Sequence, residues 1–378
     1  MARIEPNWST LPEELLFSIV KLLPTRIDIL RWRAVCRSFR ATIPHPPIQY
    51  PFPHSILTSN DFLKGPNPKE NDVFTLMVST VYAIEPLNKV SNIQGEETPQ
   101  TWVVRVQEPN PGRVVIIDPI SGSKCKDLSD QLPKSLNLLD YRVTEITKSY
   151  ILVSTGGKLI VTKLIFSSFL DENDVEFAVM TRDNCTKELG IWRNVDKKWS
   201  KIDMELGFLG FLEFVEDVIY YNRKFYAVLS KGRTVTVDSK SLVVTRVAEE
   251  LQFVSIYSEL YLMELYNDLF LIVQFREFGD DFDEYIIMLF KLNEENQKWV
   301  PVVDGLELEY RVLFMGKSSF AFSFSIEEVA GCVYYAGASL LGRNREESAE
   351  MIVRKHGGHL RISWNGEMNA ANGAEMVK

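Results

Sequence analysis

The chain has 378 residues, 46% apolar and 11% aromatic, with a formal net charge of −9. That is enough apolar material for a large core or for two to three domains, and it excludes a disordered chain. Residues 1–50 carry seven Lys/Arg against four Asp/Glu, so the body is the acidic part, and an acidic body argues against non-specific nucleic-acid binding, which needs a basic surface.

Residues 8–40, WSTLPEELLFSIVKLLPTRIDILRWRAVCRSFR, form a basic, helix-patterned head. Thr10 is placed to cap a first helix, with Glu13 at capping-box spacing and Pro12 in the first turn. Leu11, Leu15, Ile19 and Leu22 recur at helical spacing as one apolar stripe, widened by Leu16 and Leu23. Pro24 stops this helix. Thr25 and Asp28 restart a second, whose apolar positions are Ile27, Leu30, Val35, Cys36 and Phe39, before Pro44, Pro46 and Pro47 end the run. About forty residues expose too much surface to be stable alone, so the stripe is expected to be buried against something. The arginines between Arg26 and Arg40 alternate with apolar residues, the pattern of a solvated helix face or of a rim meeting an acidic partner.

This head resembles the F-box. The marks are Leu11-Pro12, Leu22-Leu23 before a proline, Asp28-Ile29-Leu30, and the tail Arg33-Ala34-Val35-Cys36-Arg37-Ser38-Phe39-Arg40, with Phe39 where many F-boxes have tryptophan. The resemblance implies docking onto the Skp adaptor of a cullin-based ubiquitin ligase. Its contact set would be Leu11, Pro12, Leu15, Ile19, Leu22, Leu30, Val35, Cys36 and Phe39.

The proline-rich stretch that follows reads as an extended linker lying on the next domain. From about residue 72 the period changes from helical to alternating, as in FTLMVSTVYAI, KLIVTKLIF, KFYAVLS, LFLIVQFRE and YIIMLFKL. Turn residues bound each run, which predicts an all-β domain of roughly sixteen strands. A weak repeat of strand, polar turn and strand recurs in IIDPISGSKCKDL, IWRNVDKKWSKI, VTVDSKSLVVTRV and LFKLNEENQKWVPV, with Trp199 and Trp299 at the same place in their units. The spacing is compatible with propeller blades of ~40–50 residues plus insertions. A double sandwich or two stacked barrels would give the same strand list, but a closed ring removes exposed edges, so the last strands are expected to close against early ones.

The body also resembles the plant F-box-associated β-propeller family, often named after Skp-interacting F-box proteins, through TWVVRVQE, IIDPISGSKCKDL, LPKSLNLLDYRVTEITKSYIL, the Trp-turn units and GCVYYAG. The expected fold class is α + all-β: a helical F-box module at 1–45, a Pro-rich linker at 46–71, a large antiparallel β-propeller-like domain at 72–364 and a disordered tail at 365–378.

No catalytic constellation, metal site or cofactor motif is read. His356-Gly-Gly-His359 is a hairpin turn rather than a two-ligand site. Ser154–Lys158 lacks P-loop spacing and precedes a strand. Asp280–Glu284 lacks the ligand alternation of a calcium loop and reads as a solvated hairpin tip. Cys36, Cys125, Cys185 and Cys332 form no close pair and read as reduced thiols. Neither a secretory signal nor a membrane span is expected, which puts the chain in the nucleus and/or cytoplasm. The functional expectation is a substrate receptor: the head docks the Skp adaptor and, through it, cullin, while the propeller presents loops to a protein target and catalysis belongs to other subunits. The alternatives are a propeller enzyme or small-molecule binder with incidental N-terminal helices, or a non-degradative F-box scaffold.

Overall fold

The computed structural model describes residues 11–23, 26–44, 55–57, 73–87, 102–110, 113–117, 141–154, 161–167, 176–182, 188–204, 214–255, 258–278, 283–302, 311–315, 320–323, 333–336, 348–351, 353–356 and 359–362. The head is three short helices, α1 (Glu13–Lys21), α2 (Arg26–Val35) and α3 (Arg37–Thr42). Thr10 lies outside the described residues, and the N-cap position of α1 is Pro12, which makes no side-chain cap bond. Pro12 has an extended ψ of 144°, so the helix starts after it, and its carbonyl accepts from the N–H groups of Leu15 and Leu16. Glu13, expected in a capping box, instead accepts a hydrogen bond from Thr42 Oγ1 at 3.4 Å and ties α1 to α3. Cys36 is extended, breaks α2 from α3, and caps α3 by accepting the Phe39 N–H on its sulfur.

Leu16, Phe39 and Ile43 form the core of this head, with Leu11, Val20, Ile29, Trp32 and Cys36 packed against it. Trp32 lies flat on Phe39, with ring centroids 5.5 Å apart.

Among the described residues that follow, the regular structure is almost entirely strand. Twenty-three strands occur among the described residues, more than the sixteen expected, because short segments outside the long apolar runs, such as Lys198–Lys201 and Lys298–Pro301, also pair into the sheets. The first sheet holds β1 (Ser55–Leu57), β2 (Val73–Pro86), β3 (Trp102–Asn110), β4 (Arg113–Ile117), β5 (Tyr141–Ser154), β6 (Val161–Phe166), β7 (Ala178–Arg182), β8 (Leu189–Arg193) and β9 (Lys198–Lys201). Its order is β4-β3-β2-β5-β6-β7-β8-β9, with β1, from the proline-rich stretch, on β2. The second is a four-stranded meander of β10 (Val215–Tyr221), β11 (Lys224–Leu229), β12 (Thr234–Val237) and β13 (Val244–Ala248). The third contains β14 (Glu259–Leu265), β15 (Asp268–Phe278), β16 (Asp283–Asn293) and β17 (Lys298–Pro301) as a meander. The fourth is built from β18 (Arg311–Met315), β19 (Phe320–Ser323), β20 (Val333–Ala336) and β21 (Ser348–Met351).

Three successive meanders, β6–β9, β10–β13 and β14–β17, are therefore equivalent four-stranded units. Their first strands lie side by side, and Asp217 on β10 joins them. It receives Lys163 Nζ of β6 at 2.9 Å and the Leu262 N–H of β14 at 3.0 Å. First strands stitched to first strands give the radial arrangement of a propeller and not two face-packed sheets. Both faces of the middle meander are covered. Phe225, Ala227 and Leu229 of β11 pack toward the preceding unit. Tyr226 and Val228, on the alternate face, pack toward the following one. Burial on both sides explains why KFYAVL is a continuous apolar run and not an alternating one.

Three features depart from the regular ring expected. β5 pairs with both β2 and β6, which fuses what would be separate blades into one sheet. β18 and β20 pair in parallel. The last strands, β22 (Val353–His356) and β23 (His359–Ile362), do not close against early ones; β23 pairs with β16 at Tyr285–Ile287. The short β17 covers only Phe290–Asn293 of β16, so the start of that long strand is an open edge that captures the hairpin.

Equivalent turns share one device. The turns before β9, β13 and β17 end on Lys197, Leu242 and Gln297, with φ of 52°, 60° and 50°. None is glycine, although left-handed backbone costs an L-residue roughly 1–2 kcal/mol. Gln297 is exposed. Gln297→Gly is expected to raise stability by up to about 1 kcal/mol and Gln297→Val to lower it by about 1–2 kcal/mol, both read from denaturant midpoints.

The turn before β13 is held by Asp238. Its Oδ1 accepts from the Ser241 N–H at 2.7 Å, the Ser241 hydroxyl at 2.8 Å and the Lys240 N–H at 3.1 Å. The Ser241 backbone bond, then its hydroxyl, hold the carboxyl below its ordinary value, against a smaller opposing effect of burial. A depressed folded pKa gives stability that is present above the unfolded pKa and lost as pH falls through the folded one. Asp238→Asn is expected to flatten that acid limb, measured as the difference in unfolding midpoint between neutral pH and pH below about 4.

Candidate docking face of the helical head

The three helices sort the apolar residues of the head into two sets. Leu16, Phe39 and Ile43 are shut inside at 1%, 2% and 0% exposure. Leu15, Phe17, Leu22 and Val35 stand out at 52%, 40%, 82% and 61%. Leu15 and Leu22 are seven residues apart, two helical turns, and so lie on one face of α1.

Of the contact set expected from sequence, Pro12, Leu15, Leu22 and Val35 are exposed. Leu11, Ile19, Leu30 and Cys36 are half-buried. Phe39 belongs to the core of the head and not to its surface. Phe17 is outside the expected set because it falls off the helical stripe, between Glu13 and Lys21. A large apolar side chain on an otherwise polar face was the available signal.

The arginines divide similarly. Arg33 donates to the Ile43 carbonyl, fastening α2 to the end of α3. Arg31 donates to Asp28 Oδ1 at 3.2 Å and to the Val143 carbonyl of β5 at 3.0 Å, so it meets the β domain while its side chain stays partly exposed. Arg37 and Arg40 are exposed.

In the β domain, equivalent turns of successive meanders sit together. Tyr221 of the β10–β11 hairpin donates its hydroxyl to the Asn267 carbonyl of the β14–β15 hairpin at 2.6 Å. Arg193 of β8 donates to the Lys240 carbonyl in the β12–β13 turn at 2.6 Å. Tyr226 donates to Glu294 at 2.6 Å, and burial, then that bond, push its hydroxyl well above the ordinary tyrosine range. It therefore stays protonated as a structural donor.

Among the described residues no group of three His, Cys, Asp or Glu is arranged to hold a metal, and no helix is long and apolar enough to cross a membrane. His356 and His359 are register partners in the antiparallel β22–β23 pair, and the glycines between them lie outside the described residues. Asp283 and Glu284 open β16 in a hairpin with the end of β15.

A three-helix module with exposed leucines, joined to a propeller of antiparallel meanders, is the architecture of an F-box protein with a propeller body. The chain belongs to the KIB1-4 β-propeller family, whose profile matches residues 68–357, and the F-box-like profile matches residues 8–47. It is similar to the F-box protein SKIP23 of Arabidopsis thaliana, at 27% identity over 62% of this chain and 56% of that protein. It is similar over a longer span to two other Arabidopsis proteins. The F-box/kelch-repeat protein At1g64840 is 26% identical over 94% of this chain and 88% of its own length. The F-box protein At2g17036 is 24% identical over 90% and 85%. A solved BBS1N chain in complex with ARL6DN overlays at a TM-score of 0.24 and 11% identity over 77% of this chain and 74% of its own, too low to bear on the fold.

Proposed function

We propose that this chain is the substrate-receptor subunit of a Skp–cullin–F-box ubiquitin ligase, acting in the nucleus and/or cytoplasm. The observation that carries the reading is the exposure of Leu15 and Leu22 on a head whose own core is already closed. Large apolar side chains left outside a completed core mark a protein-interaction site. The F-box match supports the Skp adaptor as the partner of that face, with cullin recruited through it. The propeller supplies the target-binding surface, and ubiquitin transfer belongs to the other subunits. The shifted groups of the β domain among the described residues have structural causes, as suits a receptor. Tyr150, Tyr221 and Tyr226 are raised chiefly by burial, and Asp238 is lowered by turn hydrogen bonds. Each shift has a packing cause.

The test is affinity purification of the full chain from plant extract, with the variant Leu15→Glu, Leu22→Glu in parallel. Skp adaptor and cullin are expected with the wild type and absent from the variant. Proteins retained by both are target candidates. Absence of adaptor and cullin from the wild type refutes the reading.

A further inference from the structure

The contact between Arg31 and Val143 spans 112 positions of sequence. Val143 is 6% exposed and sits on β5 opposite Ile84 of β2. On its other side β5 pairs with β6 only over Tyr150–Val153. Its first part, from Tyr141 to Ser149, has no second ladder partner among the described residues. A strand edge of that kind offers carbonyl and N–H groups to whatever approaches, and the Arg31 guanidinium of α2 takes one of the carbonyls.

The apolar cluster of the head draws only on residues between Leu11 and Ile43, and the clusters of the β domain only on their own residues. The two parts therefore do not share one of these cores, and the contact that Arg31 makes between them is polar. Arg31 suits it. The guanidinium is planar and always charged, with several donors in a fixed fork. One of its nitrogens is anchored on Asp28, three residues earlier in the same helix, so the other is aimed before it reaches β5. Arg33 secures the far side of the head by binding the Ile43 carbonyl, where the chain leaves α3. The two arginines thus fix α2 at both ends of its environment: one to the exit of the head, the other to the sheet.

We propose that Arg31 is a clamp that locks the helical head onto the first part of β5, so that head and propeller move as one body. Its consequence for ubiquitin transfer rests on the receptor reading: an adaptor docked on the head would be held at a set distance and angle from a target docked on the propeller. The clamp itself needs no adaptor, so it is tested apart from that reading.

The experiment is pulsed electron-electron resonance on the full chain. Spin labels are placed at Ser38→Cys on α3 and Asn222→Cys in the β10–β11 turn, both exposed. The native cysteines are changed to Ser, which at Cys36 keeps a side-chain acceptor for the Phe39 N–H. The wild type is expected to give one narrow distance distribution. Loss of a charge-assisted bond shifts the docked–undocked balance about tenfold or more, so Arg31→Ala is expected to give a broad distribution or a second, displaced population. Arg31→Lys, a point charge without the fork, is expected to fall between the two. Adaptor affinity should stay within about twofold, because Arg31 lies outside the head's core and the leucine face. A broad distribution in the wild type overturns the proposal, whatever the variants do. So does an Arg31→Ala distribution as narrow as that of the wild type.

Discussion

Replacing Leu15 and Leu22 together by Glu is expected to weaken the binding of the full chain to purified Skp adaptor by at least about a thousandfold, read by calorimetric titration. Central apolar anchors typically cost about 2 kcal/mol or more each when removed, which at ~1.4 kcal/mol per decade gives that factor for two. A buried, unpaired carboxylate adds a further penalty. The head should stay folded. Both side chains are more than half exposed, and Glu is a good helix former. Phe39→Ala provides the contrast. It too should abolish binding, but by emptying the head's core at a cost of about 3–5 kcal/mol, with a loss of helical circular dichroism that the leucine variant does not show. Equal binding by wild type and Leu15→Glu, Leu22→Glu would place the adaptor contact elsewhere on the chain.

The same comparison shows what sequence periodicity can and cannot say. The stripe on α1 and the apolar positions of α2 and α3 were legible, because helical spacing fixes which residues share a face. Which apolar face turns inward was not. Phe39 reads as a surface position from its motif, yet it stacks on Trp32 and closes the core. The N-cap was misread for a local reason: the extended ψ of Pro12 moves the helix start past the Thr10 box. In the β domain, the strand–turn text predicted the hairpins well. Polar turns carry a strong local signal, and IWRNVDKKWSKI, VTVDSKSLVVTRV and LFKLNEENQKWVPV each became the last two strands of a meander. The pairings that escaped the sequence are non-local. The reach of β5 to both β2 and β6, the parallel β18–β20 pair and the capture of β23 by β16 depend on which edges lie open in three dimensions, and period-2 patterning carries no such information. Arg31 belongs to the same class. Its sequence neighbours suggest a solvated face, and only the fold brings Val143 to it.

Trp299→Ala is expected to be among the most destabilising single changes in the β domain. Trp199 and Trp299 occupy equivalent places, on the last strands of their meanders, and are 6% and 4% exposed. Trp299 also reaches the neighbouring meander. Its indole Nε1–H donates to the Gly232 carbonyl at 2.9 Å and lies 3.2 Å from Thr234 Oγ1. The backbone there is tight. Gly232 has a φ of 86°, and a Cβ on it would lie 3.2 Å from Leu251 Cδ1. Truncation of Trp299 removes a large buried ring, about 3–5 kcal/mol in core sites. It also takes the indole donor from the Gly232 carbonyl, which keeps its bond from the Thr234 hydroxyl at 3.0 Å, so the further cost is that of one ordinary hydrogen bond, about 0.5–1.5 kcal/mol. Trp299→Phe separates the two effects: it keeps most of the ring volume and loses only the donor, so it should show the smaller cost alone. The measurement is the guanidinium midpoint of the full chain at constant slope. Because Trp299 links two meanders and touches none of the head, adaptor binding by the still-folded fraction should be unchanged. A Trp299→Ala midpoint equal to the wild type would mean that the indole does not join the two meanders, and that its equivalence with Trp199 is accidental.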